Sequence, residues 1–466
     1  MRVMLVSFVF PPHNVIGAVR VGKLAKYLTR FGHDVRVLTA LDPPFPKDLA
    51  LEIPADLVTH TPWARVDRPL RAAVSLASRI RSRSGREPRA TNGHGYESSN
   101  GNGNGHGAES NGVHAPATSR SSALGWLAER YQDFVYIPDD NIGWLPSATA
   151  AGLRMAREFR PQVIFASGKP WTSLVVAHRV ATRSGVPWIA EFRDPWGSNP
   201  YDASSRFRQH VDDWLSRRIV RSASGVVTVS PPLAAVYAEK YQKPSSVVMS
   251  GYDDEDQPAA APSNGLADDG RLWIVHAGTF YAQRDLTPLV RAIHTLGDRA
   301  RRVRVSLVGA EPAGVQSALN LAAALGVADS FELSTMVSRG ESLRIQRAAD
   351  VLLLAMWNDP REYTFLPGKL FEYVGARRPI LLVGLVTGAA AELVKTRLLG
   401  VALDSADDIA LWLGARLAEK ARLGRTAAPP ASAREGLAFE AQARRLEGFL
   451  ERFAIPARGP VQPSVA

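Results

Sequence analysis

The sequence predicts an α/β protein whose two halves each contain a doubly wound parallel sheet. Short apolar segments bounded by turn residues alternate with segments of helical periodicity, which is typical of a sheet covered by helices on both faces. The 466 residues are too many for one hydrophobic core, and a stretch rich in Asp, Pro and Gly at 253–270 separates two sets of apolar segments. We therefore predict two domains joined by a linker.

The first half opens with a strand–helix–strand pattern. The apolar segment "RVMLVSFVFPP" precedes a helical segment in which Val21, Leu24, Leu28 and Phe31 share one face, and "DVRVLT" follows as a strand. Further strands, with helices between them, are predicted at "QVIFAS", "PWIAEF", "GVVTVS" and "SVVM". Residues 1–252 are thus expected to form a Rossmann-like N-terminal domain.

Two segments inside this half depart from the alternating pattern. Residues 65–89 contain eight arginines and two acidic residues, and an amphipathic basic helix is predicted at about 68–84. The Gly-, Asn- and Ser-rich composition that follows predicts a disordered insertion at about 85–122. The basic helix has two interpretations, contact with an anionic membrane surface and an ordinary solvated surface helix.

The second half repeats the alternation of strands and helices. Strands are predicted at "LWIVHAG", "VRVSLVG", "DVLLLA", "PILLVG" and "GVALD". Residues 271–432 are therefore expected to form a second Rossmann-like domain. A helix at 433–454 is expected to pack back toward the N-terminal domain, and 455–466 are expected to be a frayed tail.

Composition limits the classes of function and partner. The net charge of +11 favours anionic partners such as nucleotides or anionic lipids, whereas no nucleic-acid-reading motif is present. There are no cysteines, so thiol chemistry and disulfides are excluded. No apolar run long enough for a transmembrane helix and no signal peptide is visible, and the expected location is cytoplasmic.

The loop after the first strand is the first candidate anion site. In "FPPHNVIGAVRVGKL" the loop ends at Gly17 and enters a helix, and a helix N-terminus with a glycine lets an anion approach unpaired backbone N–H groups. A tight turn that needs glycine explains the same residue. Neither a GxGxxG turn nor a P-loop motif occurs, which argues against dinucleotide or P-loop binding.

The second half contains a similar feature at "VHAGTFYAQRDLTPL". Gly278 follows a strand, and Arg284 precedes a helix near the carboxyl end of the predicted sheet, where parallel sheets form ligand crevices. The guanidinium suits a diphosphate. The alternative is a surface arginine, which would be unfavourable beside a helix N-terminus without an anion.

A third feature lies in "FLPGKLFEYVGARRPILLVG". Gly368 and Lys369 stand at the start of a predicted helix, where a cation is unfavourable unless it faces a phosphate. Glu372, one turn later, is placed to accept two ribose hydroxyls. Its alternative role is a surface ion pair with Arg377 or Arg378.

Taken in order, several segments resemble the retaining nucleotide-sugar glycosyltransferases of the GT-B fold, in particular the family-four type of bacterial polysaccharide and glycoconjugate assembly. The segments are "FPPHNVIGAVRVGKLAKYL", "PWIAEFRDPWG", "SPPLAAVYAEKY", "VHAGTFYAQRD", "ADVLLLA" and "GKLFEYVGARRPIL". The resemblance covers nearly the whole chain outside the insertion. It implies a GT-B fold, with two Rossmann-like domains facing a cleft.

The resemblance also implies roles for individual residues. The sugar donor would bind mainly to the C-terminal domain, with Arg284 and Lys369 on its diphosphate and Glu372 on its ribose. The full donor-binding set is Gly278, Arg284, Gly368, Lys369, Leu370 and Glu372. Two departures stand out: the first glutamate of the family's Glu-x7-Glu element is replaced by Thr364, and the glycine pair of the N-terminal loop reads Gly17-Ala18.

Acceptor- or sugar-side candidates lie in the N-terminal domain. In "EFRDPWG", Asp194 is expected to hydrogen-bond a sugar or acceptor hydroxyl, and Trp196 to stack on a sugar face. The alternative is a structural Arg193–Asp194 pair beside a core tryptophan. His13 and Gly17 complete the acceptor-side set, with an ordinary loop histidine as the alternative for His13.

The expected chemistry is metal-independent transfer with retention, in which Arg284 and Lys369 stabilise the departing diphosphate and Asp194 assists at the sugar. The acceptor is expected to be a glycan, a lipid-linked sugar or a small molecule. Two other functions remain open. A non-catalytic glycosyltransferase-like subunit or membrane-docked scaffold is suggested by Thr364 and the basic helix. A sugar-nucleotide epimerase would need cleft carboxylates such as Glu191 and Asp194.

Overall fold

A computed structural model describes residues 1–66, 135–197, 205–257, 269–280 and 283–456. The predicted basic helix at 68–84, the predicted insertion at 85–122, most of the linker and the last ten residues lie outside these ranges. Within them the chain forms two parallel sheets, of seven and six strands, with helices on both faces. None of the helices in the described ranges combines the length and hydropathy needed to cross a bilayer.

The first lobe contains the seven-stranded sheet. Its strands are β1 (Arg2–Val6), β2 (Asp34–Ala40), β3 (Val58–Thr61), β4 (Val163–Gly168), β5 (Trp188–Phe192), β6 (Gly225–Thr228) and β7 (Ser245–Val247). Its helices are α1 (Ile16–Arg30), α2 (Leu145–Phe159), α3 (Thr172–Ser184), α4 (Arg206–Val220) and α5 (Pro231–Tyr241). The central strands β4, β5 and β6 are buried throughout, which explains why they read as continuous apolar runs.

The second lobe contains the six-stranded sheet. Its strands are β8 (Leu272–Ala277), β9 (Val303–Val308), β10 (Phe331–Ser334), β11 (Val351–Ala355), β12 (Ile380–Val383) and β13 (Gly400–Leu403). Its helices are α6 (Thr287–Thr295), α7 (Pro312–Ala324), α8 (Arg339–Ala348), α9 (Gly368–Ala376), α10 (Ala389–Thr396) and α11 (Ala406–Leu423). One further helix, α12 (Phe439–Glu451), ends the described chain.

Both sheets have the same strand order. The first runs β3-β2-β1-β4-β5-β6-β7 and the second β10-β9-β8-β11-β12-β13. The order reverses direction between β1 and β4, and again between β8 and β11, and such switch points are where doubly wound sheets bind ligands. The predicted fold of two Rossmann-like parallel-sheet lobes is confirmed.

The chain returns to the first lobe at its end. Along α12, Ala443, Leu446 and Phe449 pack into one core with Val3 and Leu5 of β1. Gln442 of the same helix accepts a hydrogen bond from the backbone N–H of Met249 at 2.7 Å. Helix α12 therefore belongs to the first lobe by packing, although it follows the second lobe in sequence.

Candidate functional site

A cavity of about 310 Å³ opens between the two lobes, at the carboxyl edge of the second sheet. The first lobe contributes Ile16, Arg20, Arg193 and Asp194 to its wall. Residues at the ends of β8, β9 and β11, and at the start of α9, form the other side: Ala277, Gly278, Arg284, Val308, Leu354, Gly368, Lys369 and Glu372. The structure thus brings together five of the six predicted donor-side residues and two of the predicted acceptor-side residues.

Lys369 is held by a histidine that the sequence analysis did not single out. The Lys369 Nζ donates to Nε2 of His276 at 3.1 Å, and Nδ1 of His276 lies 3.1 Å from the Leu353 carbonyl oxygen. A carbonyl only accepts, so Nδ1 carries the proton and Nε2 is an acceptor for the amine. Burial, with the charges of Lys369 and Arg284, lowers the pKa of His276 well below its usual range, in keeping with a neutral ring.

The two cations at this wall oppose each other electrostatically. Burial lowers the pKa of Lys369 to about 7; the charge of Arg284 adds to that effect, and Glu372 opposes it. Arg284 and Lys369 line the same cavity, so an anion between them would relieve their repulsion. The wall is therefore suited to a doubly charged group such as a diphosphate.

Two glycines at this wall leave the backbone accessible to close neighbours, because they have no side chain. Gly278 has φ of +103°, a conformation that favours glycine, directly after β8. A Cβ on Gly368 would lie 2.5 Å from Cδ1 of Ile16, the first residue of α1. The N-termini of α1 and α9 consequently meet at the cavity, one from each lobe.

Leu370 differs from the other members of the donor-binding set, and its prediction is corrected by the structure. Its side chain is fully buried in the second-lobe core, and its N–H donates to the Pro367 carbonyl at 3.1 Å. Both the side chain and the amide are therefore engaged within the protein. The sequence pattern placed Leu370 correctly in the first turn of α9. It did not reveal that the Leu370 N–H bonds to the carbonyl three residues earlier, as in a 3₁₀ helix.

Glu372 lies at the cavity wall in an ion pair that was not predicted. Its Oε1 accepts from Nη1 of Arg339 at 2.5 Å, and its Oε2 accepts from Nε2 of Gln346 at 3.3 Å. The alternative partners considered from sequence are engaged elsewhere: Arg378 donates to the Arg347 carbonyl, and Arg377 lies 3.7 Å from Asp254. Glu372 is thus oriented by α8 rather than by its own helix.

On the first-lobe side, Asp194 and Arg193 reach the cavity and Trp196 does not. Arg193 donates from Nε to the Gly168 carbonyl at 3.0 Å and from Nη2 to the Lys169 carbonyl. Trp196 is 1% exposed and stacks on Trp171 with ring centroids 4.9 Å apart. The expectation that Trp196 stacks on a sugar is therefore wrong in this structure, because its ring is part of an aromatic core.

The remaining acceptor-side candidates are buried beside α1. His13 is 4% exposed and its Nδ1 lies 3.2 Å from the Phe10 carbonyl, so it is an ordinary loop histidine, the alternative considered from sequence. Burial lowers its pKa, and the hydrogen bond with the Phe10 carbonyl is the largest opposing effect. Gly17 is buried as the second residue of α1, next to the cavity-lining Ile16.

A buried ion pair beneath the cavity escaped the sequence analysis. Arg20, 1% exposed, donates to Oε1 of Glu191 at 2.6 Å and to the carbonyls of Val248 and Met249 at 2.7 Å. The other oxygen of Glu191 accepts from Oγ of Ser167 at 2.6 Å. Glu191 is therefore committed to structure, and the helical periodicity of α1 gave no signal of this pairing.

Comparison with known proteins agrees with this architecture. A protein-family model described as a glycosyl transferase 4-like domain matches residues 17–252. No curated protein matches the sequence. Solved structures similar to the chain include a glycosyltransferase from Rickettsia africae, with 12% identity, a TM-score of 0.57, and coverage of 98% of this chain and 99% of that one.

Two other similar structures come from cyanobacteria. HepE from Anabaena, in complex with UDP, has 13% identity and a TM-score of 0.59, covering 97% of this chain and 100% of that one. Sucrose-phosphate synthase from Thermosynechococcus elongatus has 15% identity and a TM-score of 0.61, covering 97% and 98%. Identities this low show the fold alone, and that fold is GT-B, as predicted.

Proposed function

The chain belongs to the glycosyl transferase 4-like family, and from that premise we propose that it transfers a sugar from a nucleoside diphosphate donor with retention at the anomeric carbon. The observation that carries this proposal is one cavity, between two lobes, that holds Arg284, Lys369 and Glu372 together. Two cations suit the diphosphate and one carboxylate suits the ribose. HepE, which has the same fold, was solved with UDP and with UDP-glucose.

In the proposed reaction an acceptor hydroxyl attacks the anomeric carbon from the face that the diphosphate leaves. The bond between that carbon and the diphosphate oxygen breaks, its electrons stay on the diphosphate, and the hydroxyl proton passes to the departing oxygen. Arg284 and Lys369 stabilise the charge that develops there. Asp194, on the opposite wall, hydrogen-bonds a hydroxyl of the sugar or of the glycan, lipid-linked or small-molecule acceptor.

The proposal is tested first by ligand binding and product analysis. A panel of UDP-, GDP- and dTDP-sugars is screened for thermal stabilisation, since ligand at a hundred times its dissociation constant adds about 2.7 kcal/mol to stability. NMR of the product formed from the active donor gives the anomeric configuration. Inversion would refute retention, and absence of stabilisation by every nucleotide sugar would refute the donor class.

Arg284→Ala is the sharpest test of the leaving-group role. A charge-assisted hydrogen bond contributes about 1.5 to 3 kcal/mol, so kcat should fall by roughly ten- to a hundredfold. Arg291→Ala is the matched control, because Arg291 lies exposed on α6, the helix that follows Arg284. Equal kinetics of the two variants would contradict the role. Metal independence remains a prediction, supported if activity survives EDTA.

A non-catalytic role is the second candidate, favoured by Thr364. Threonine has no carboxylate to offer where the family's first glutamate stands, and its backbone carbonyl accepts from Oγ of Ser230 in the first lobe at 2.6 Å. Transfer or hydrolysis of any donor by the purified protein would exclude this candidate. The epimerase alternative is disfavoured, because Glu191 is committed to Arg20.

The proposal extends to location: a cytoplasmic protein that docks on an anionic membrane surface through its first lobe. The predicted basic helix lies outside the described residues, but α4 offers independent support. Phe207 and Trp214, 48% and 60% exposed, are seven residues apart and share one face. Arg218 and Arg221 are exposed beside them, a combination suited to an anionic lipid interface.

A further inference from the structure

The carboxylate of Glu372 is oriented from outside its own helix. Arg339 and Gln346, both on α8, each donate to a different oxygen of this carboxylate, at 2.5 and 3.3 Å. A carboxylate has about four acceptor lone pairs, so these two donors do not saturate it. The two contacts restrict the rotation of the carboxylate beside the cavity.

Arg339 occupies a position that is explained by its anionic partners. It is the first residue of α8, after the capping residue Ser338, and a cation there is unfavourable against the helix dipole. Its side chain is 18% exposed and lies between two carboxylates, Glu372 and Asp256, whose Oδ2 is 3.4 Å from Nη2. The arginine is therefore held on both sides rather than lying on the surface.

Asp256 connects this arginine to the first lobe. Its Oδ1 accepts from Nζ of Lys23 on α1 at 2.5 Å, and Lys23 also binds Asp253 and Glu52, at 2.8 and 2.9 Å. Lys23, Asp256, Arg339 and Glu372 thus form a continuous chain of alternating charges. It runs from α1, through the segment that leaves the first lobe, to the wall of the cavity.

We propose that Arg339 is a positioning residue that sets the orientation of Glu372 and thereby selects donors with an intact ribose over 2′-deoxyribose. This inference rests on the proposed donor site. Its physical basis is that a carboxylate fixed at both oxygens presents its remaining lone pairs in one arrangement, which a vicinal diol matches and a deoxyribose does not. The preferred donor is accordingly a ribonucleotide sugar, and a dTDP-sugar is disfavoured.

The test compares ribose and deoxyribose ligands by calorimetry. UDP and GDP, each beside its 2′-deoxy form, are titrated into the full chain and its Arg339→Gln and Arg339→Lys variants. Loss of a hydrogen bond to a charged group costs about tenfold in affinity or more. Of UDP and GDP, the one that binds more tightly should therefore bind the wild type at least about tenfold more tightly than its own 2′-deoxy form. Arg339→Gln should lose most of this preference and bind the 2′-deoxy ligand as the wild type does, and Arg339→Lys should recover part of it.

Arg344→Gln is the matched control, because Arg344 lies on the same helix, is exposed and pairs with Glu341 instead. It should behave as the wild type. Asp256→Asn is a second variant, which keeps the Arg339–Glu372 pair but weakens its link to Lys23; a partial loss of ribose preference is expected. A general folding defect would weaken both forms of a nucleotide equally.

The outcomes separate this inference from the function it rests on. Retained ribose preference in Arg339→Gln, or equal weakening of ribose and deoxyribose ligands, would overturn the positioning role while leaving nucleotide binding in place. A wild type that binds nucleotides without distinguishing ribose would also overturn it. Absence of any nucleotide binding would overturn the proposed function itself.

Discussion

Lys369 gives the donor site a pH dependence whose sign follows from its environment. Burial, with the charge of Arg284 second, lowers the pKa of Lys369 to about 7, and Glu372 opposes both. A bound diphosphate favours the ammonium form and raises that pKa. Binding therefore takes up a proton above pH 7, and affinity for a nucleotide sugar should fall by up to about tenfold per pH unit there, while staying flat below.

Calorimetry between pH 6 and 9, in buffers of different ionisation enthalpy, measures this proton uptake directly. Lys369→Arg is the informative variant, because arginine stays charged over the whole range and should abolish the pH dependence. A nucleotide sugar is the better ligand for this measurement, because the terminal phosphate of a free nucleoside diphosphate itself titrates in this pH range. Affinity that rises with pH in the wild type, or the same slope in both proteins, would contradict the assignment.

At the scale of single residues, sequence could identify groups next to turns but not their partners. Gly278 and Arg284 follow a strand, and Gly368, Lys369 and Glu372 lie in the first half of α9, so local pattern was enough to bring them to one edge. Which residues orient them depends on contacts distant in sequence, such as His276 with Lys369. For the same reason Trp196 was misassigned: its stacking on Trp171 is a tertiary contact.

At the scale of elements, the Arg20–Glu191 pair fixes α1 to the sheet. Arg20 connects this helix to β5 through Glu191 and to the segment after β7 through two carbonyls. Because the first residue of α1 lines the cavity, this pair also sets the position of one wall. The ion pair is fully buried, so removing one partner leaves an uncompensated charge.

Glu191→Ala is therefore expected to destabilise the first lobe by about 3 to 5 kcal/mol. The midpoint of urea unfolding, followed by tryptophan fluorescence, measures this loss; six of the described tryptophans lie in the first lobe and three in the second. Asp56→Ala is the control: Asp56 lies exposed in the same lobe, 3.9 Å from Arg36, and exposed pairs contribute about 0 to 1 kcal/mol. Losses of similar size in the two variants would show that the buried pair does not fix α1.

The elements that sequence predicted and those it missed differ in burial. Central strands such as β5 and β11 are apolar throughout and were predicted from that run. Strands β3 and β10, four residues each at the sheet edges, have partly exposed faces and give no such run, so they were missed. Short edge strands form because a neighbouring strand offers hydrogen bonds. That neighbour is distant in sequence, so the residues of the short segment alone do not predict the strand.

At the scale of the whole molecule, the lobes contact each other at several points around the cavity. Ile16 meets Gly368, and Ser230 donates to the Thr364 carbonyl. Helix α4 lies in the first lobe, which carries the proposed acceptor side, so a membrane surface at α4 would bring a lipid-linked acceptor to the lobe that uses it. Asp213, the acid within this exposed stretch, is neutralised by Arg217 and Lys240.

Vesicle flotation tests this docking. The protein should bind vesicles that contain phosphatidylglycerol, release from them at high salt, and bind pure phosphatidylcholine weakly. One arginine near an anionic surface contributes about 1 kcal/mol, so Arg218→Gln should weaken binding roughly fivefold, and Trp214→Ala should weaken it through loss of the inserted ring.

Leu411→Ala is the matched control, because Leu411 is 77% exposed on α11 in the other lobe, and its removal should leave vesicle binding unchanged. The result that contradicts docking through α4 is vesicle binding equally strong in Trp214→Ala, Arg218→Gln and Leu411→Ala. These substitutions remove the exposed ring and one of the two charges beside it, so equal binding would show that α4 is not the docking surface. Neither Trp214 nor Arg218 lines the cavity, so donor affinity in solution should be the same in all three variants.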